Sequence, residues 1–94
     1  MNINWQQHMH FGELLLIGRQ LAQRGKWMMQ ARKRGDGTPG DRKQKRAQWR
    51  NDHLIWTRKV VTVQVKPAPI GNPHGHEEFC IVAAALAKLA KELE

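Results

Sequence analysis

The sequence predicts a small α+β domain: two terminal helices packed with a small antiparallel β hairpin or sheet, and a flexible basic loop between helix 1 and the strands. Three observations carry this expectation. An apolar stripe of helical period runs from about Phe11 to Arg34, and a second from about His76 to Leu93. Between them Val61, Val63 and Val65 alternate with Thr62 and Gln64, the two-residue period of a strand. The chain of 94 residues suits one domain over 1–94, too short for two separate cores.

The first helix is the plainest element. Phe11, Leu14, Leu15, Gly18, Leu21, Ala22, Gly25, Met28 and Met29 share one side, while Arg19, Gln23, Lys26, Gln30 and Lys33 recur on the other. Gly18 and Gly25 lie on the apolar side. Each costs about 1 kcal/mol relative to alanine inside a helix, so a closely packed neighbour is expected at both. The alternative is a break at Gly25 with a second helix from Lys26.

Gly35-Asp36-Gly37-Thr38-Pro39-Gly40-Asp41 reads as a loop, about 35–42, mobile until a negative partner orders it. Residues 43–66 read as strands. A two-residue turn at Asn51-Asp52 would place Ala47, Trp49, Leu54 and Trp56 on one face. The other would carry Arg46, Gln48, Arg50, His53, Ile55 and Thr57. Trp56 and Val61 differ in parity, which a bulge near Arg58-Lys59 would absorb. The alternative here is a helix over 42–52 followed by one strand.

Three prolines within 67–73 predict an extended linker, about 67–75. In the final helix Glu77 and Glu78 complement the positive end of the dipole, and Lys88 and Lys91 the negative end. Phe79, Val82, Leu86, Leu89, Ala90 and Leu93 form its stripe. Cys80, Ala83, Ala84 and Ala87 leave a second small, apolar side suited to helix 1 or to a homodimer partner.

Charge points to function. Arg32, Lys33, Arg34, Arg42, Lys43, Lys45, Arg46 and Arg50 are eight of the chain's 16 Lys and Arg residues, and only Asp36 and Asp41 oppose them. The formal net charge is +8. Lys and Arg gain affinity for nucleic acid by releasing condensed counterions, and Trp49, embedded in the segment, is a candidate for stacking on an unpaired base. These nine residues are the expected nucleic-acid contacts, with DNA and RNA both open. Burial in the core is the commoner fate of a tryptophan in so small a domain, and Trp56 and Trp49 are both expected there on the apolar hairpin face, which weighs against stacking by Trp49. An acidic protein partner is the alternative reading of the same charge.

Other chemistry is thinly supported. The pairs His8/His10 and His74/His76 have a metal-friendly spacing only in extended chain, and nothing brings them together, so no metal site or cofactor is expected. Cys80 inside an apolar helix reads as inert packing, and its solitude excludes an internal disulfide framework. There is no phosphate-cradling Gly-x-x-x-x-Gly-Lys-Ser/Thr motif and no cluster of carboxylates, so catalysis is not expected. No leader or membrane-length apolar run is evident, and a cytoplasmic setting is expected.

Overall fold

A computed structural model describes residues 3–5, 10–64 and 73–94. The architecture is three helices in chain order: α1 (Phe11–Arg34), α2 (Pro39–Gln64) and α3 (Pro73–Glu92). Among the described residues there is no strand, which overturns the α+β expectation in favour of a small helical bundle. The particle is elongated, 47 × 24 × 19 Å.

Helix α1 is continuous through Gly25, as its stripe predicts. It stops at Gly35, whose φ of 72° is a left-handed conformation that glycine adopts without strain. Gly35 N–H donates to Arg32 O, and Asp36 N–H to Ala31 O, closing the last turn as a Schellman motif. Only residues 35–38 then separate the helices. Thr38 caps α2, its Oγ1 accepting from Asp41 N–H at 3.1 Å, with Pro39 as first helical residue.

Helix α2 replaces the expected hairpin. Its core side is a heptad-like set, Arg42, Arg46, Trp49, His53, Trp56 and Val60, in which Trp49, Trp56 and Val60 are buried. A run of β-branched residues near its end imitates a strand. Thr57 and Thr62 fit the helix by donating their hydroxyls to the carbonyls of His53 and Arg58, four residues back.

The two α1 glycines organise the packing. A Cβ on Gly18 would lie 2.7 Å from both Trp56 Cζ2 and Val82 Cγ1, and one on Gly25 would lie 3.2 Å from Trp49 Cζ2 and Leu89 Cδ1. The expectation of close neighbours at both positions is met. Because 18 and 25 meet 82 and 89 in the same sense, and 56 and 49 in the opposite sense, α1 runs parallel to α3 and antiparallel to α2. Each indole also donates a hydrogen bond of 2.7 Å to α1, Trp49 to Leu21 O and Trp56 to Leu14 O. In an α-helix those carbonyls accept from residues 25 and 18, so the absent glycine side chains leave their second lone pairs open to the indoles.

Both α2 and α3 pack along α1, while α2 and α3 meet sparsely. Phe79 bridges them, stacking on Trp56 at a centroid separation of 5.6 Å, and its ring meets that of Phe11 at a tilt, 4.7 Å away. Arg24 and Asp52, half-buried between α1 and α2, form an ion pair at 3.2 Å, and Arg19 pairs with Glu78 of α3. Helix α3 starts at Pro73, earlier than expected, so residues 73–75 are helical instead of linker. Residues 67–72 of that linker lie outside the described residues. Cys80 is exposed on α3, contrary to the expectation of packing.

Candidate functional site

The helical connection gathers the basic segment at one end of the bundle. Arg32, Lys33 and Arg34 close the last turn of α1, and Arg42, Lys43, Lys45, Arg46 and Arg50 occupy the first three turns of α2. The C-terminal turn of α3 reaches the same end, where Leu93 lies beside Arg32, Arg42, Lys45 and Arg46.

Three of these cations hold the structure. Arg34 Nε bonds Asp36 Oδ2 at 3.0 Å. Arg42 Nη1 donates to Asp36 O and Gly37 O, each at 3.0 Å, clamping the turn. Arg50 donates to Leu93 O, placing a cation at the negative end of the α3 dipole. The chain itself therefore ties the 35–38 turn, which departs from the expectation that an anion orders it. Among the described residues, Arg32, Lys33, Lys43, Lys45 and Arg46 make no ion pair. All but Arg46, which is half-buried, are exposed.

Trp49 does not belong to this surface. It is fully buried, its indole N–H bonded to Leu21 O, and stacking on a base would require opening the core. Its expected place in the core is met, now on the inward side of a helix; its candidacy for stacking is not. The exposed tryptophan is Trp27, 58% accessible on α1 and seven residues before Arg34, which the sequence did not single out. A helical wheel shows the signal: Trp27 falls opposite the Gly18–Gly25 stripe.

Between the helices' ends lies a cavity of about 160 Å³. Met28, Ala31 and Leu93 form its apolar bed, and Arg32, Arg42, Lys45 and Arg46 line it with Asp36 and Asp41. Further down α2, His53 stacks on Trp49 at 5.3 Å with rings 6° apart, and burial lowers its pKa below the usual 6.5.

Among the described residues no group of three or more His, Cys, Asp or Glu is placed to hold a metal. His8 lies outside the described residues; the backbone at His74 and His76 is helical, where the metal reading supposed extended chain. No described helix is long and apolar enough to cross a membrane. Comparison with known proteins brings no match to a family model, to a curated protein or to a solved structure.

Proposed function

We propose that this protein binds nucleic acid without catalysis, as a regulatory or accessory factor, through the basic end of the bundle. The observation that supports it most is the concentration of Arg32, Lys33, Lys43, Lys45 and Arg46, which make no ion pair among the described residues, around one helix–turn–helix junction. Such a field attracts a polyanion and releases its counterions on contact. A reducing cytoplasm suits a chain with one cysteine.

Salt titration tests the reading. With five phosphates neutralised, log affinity for duplex DNA falls against log salt with a slope of about −4.5, from about −0.9 per contact. The double substitution Lys45→Ala/Arg46→Ala makes the slope shallower by up to about two units and weakens all sequences alike. Absence of salt-dependent binding to DNA and RNA at low ionic strength refutes the proposal.

The cavity favours one alternative. Its apolar bed beneath four cations and two acids fits an apolar side chain flanked by carboxylates, as an acidic protein segment would present. In that reading the basic end docks on a protein, and binding survives nuclease treatment.

A further inference from the structure

We infer that the ligand is duplex DNA and that the first half of α2 lies in its major groove; this rests on the nucleic-acid reading above. The helices that pack on α2 do so on the Trp49–Trp56–Val60 side. At 100° per residue, the opposite side of its first half carries Gln44, Ala47, Gln48 and Asn51, all exposed. Lys43 and Arg50 border this stripe on one side and Asp41 on the other, while Lys45 and Arg46 stand further round, toward the cavity between the helix ends.

That pattern divides the work of a groove reader. The neutral stripe is chemically suited to base edges. Gln and Asn amides pair bidentately with adenine N6 and N7, and an alanine methyl packs on the thymine methyl. Lys43 and Arg50 lie where one phosphate backbone borders a groove, and Lys45 and Arg46, around the cavity, add to the positive field at the same end of the helix. Arg32 and Lys33, across the turn, extend the phosphate contacts past the N-terminus of α2, whose dipole also favours phosphate. An α-helix about 10–12 Å across matches the major groove of B-DNA, about 12 Å wide. The major groove of A-form RNA is deep and narrow and excludes it. Single strands are held by successive stacked aromatics, yet Trp49 and Trp56 are buried and Trp27 stands alone on α1.

The test compares anisotropy of labelled duplex DNA, duplex RNA and single-stranded DNA of one sequence, about 20 nucleotides long. Selection from a random duplex-DNA pool follows. Duplex DNA is expected to bind about tenfold or more tighter than the other two, and the pool to yield a motif containing A·T pairs. The triple variant Gln44→Ala/Gln48→Ala/Asn51→Ala loses the motif and about tenfold or more in affinity for the selected site, while its salt slope and non-specific binding are unchanged. Alanine at exposed helical positions preserves the helix, which circular dichroism verifies, and Gln48→Ala alone gives the same effect at smaller size. Equal or tighter binding to duplex RNA or single strands overturns the inference, as does single-strand binding abolished by Trp27→Ala. So does a pool without a motif, or a motif the triple variant retains. Each of these outcomes leaves nucleic-acid binding standing, whereas no binding to any of the three probes refutes the underlying reading.

Discussion

Gly18→Ala is the most exacting perturbation of this bundle. Carbon atoms rest about 3.5–4.0 Å apart, so a Cβ held 2.7 Å from Trp56 Cζ2 and from Val82 Cγ1 is about 1 Å too close to both. The two neighbours stand on different helices. Moving α1 away from one drives it toward the other, and Trp56 is further held by its bond to Leu14 O. Overpacking of this kind costs about 1–3 kcal/mol, while alanine's better helix propensity returns at most about 1 kcal/mol. The net expectation is a loss of about 1–2 kcal/mol, lowering the melting temperature by about 5–15 °C for a domain of this size. At Gly25 the nearest atoms are 3.2 Å from the new Cβ, one of them the flexible Leu89 Cδ1, so Gly25→Ala changes stability by less than about 0.5 kcal/mol. Gly12, with nothing within 4 Å, is the control and is neutral or slightly stabilising. Urea unfolding of the three variants at a common m-value measures the series. A Gly18→Ala protein as stable as the parent, or more stable than Gly25→Ala, refutes the close packing.

Three further outcomes are expected. Trp49→Phe, which deletes the indole N–H bonded to Leu21 O and leaves a smaller ring, lowers stability by about 1–3 kcal/mol in denaturant titration. An unchanged midpoint means the indole is not buried. Because burial lowers the His53 pKa, the folded state resists protonation; the histidine's contribution is complete above about pH 6.5 and is lost as pH falls through the folded pKa. Urea midpoints measured across this range fall on acidification, and His53→Gln flattens part of the slope. Ile81, 68% exposed on α3 beside Ala84, is expected to mediate a homodimer, which sedimentation at micromolar concentration detects and Ile81→Lys disrupts; a parent protein that stays monomeric removes this expectation.

Both terminal helices were legible because their stripes consist of apolar residues that any hydropathy scale recognises. Helix α1 ends where the sequence indicates, and its glycines face close neighbours. Helix α2 was hidden for a physical reason. Its inward side carries Arg42 and Arg46 before Trp49 and His53 between the tryptophans, so no continuous apolar stripe is present, while Val60, Val61 and Thr62 favour strand geometry. Two clues pointed the other way. Thr38-Pro39-Gly40-Asp41 has the N-cap, the proline at the first helical position and the acid of a helix start. The parity conflict between Trp56 and Val61, absorbed as a bulge, disappears once Trp49 and Trp56 are read as two helical turns apart. The basic segment was legible as composition, yet which cations hold the turn and which face outward depended on knowing that α2 is a helix. Trp49 shared the apolar face with Trp56 in the sequence and is core as that face indicates; its candidacy for stacking is what fails.

The two indole–glycine pairs also act as a vernier for sliding. Leu14 and Gly18 repeat as Leu21 and Gly25 seven residues later, and Trp56 repeats Trp49 at the same interval, about 10.5 Å along the axis. If α2 slid by one such interval, one tryptophan would find a vacant notch while the other met Phe11 or Arg32 in place of a glycine. Smaller slips would leave both indoles against side chains and without their carbonyls. Only one alignment seats both. Alignment of the Arg32–Arg34 turn with Lys43, Lys45 and Arg46 thus does not depend on the short turn, whose Gly35 and Gly37 are poor rulers. It is measured out from Trp49, four residues beyond Lys45, and from Gly25, seven before Arg32, so the spacing of the charged end is set by neutral residues inside the bundle.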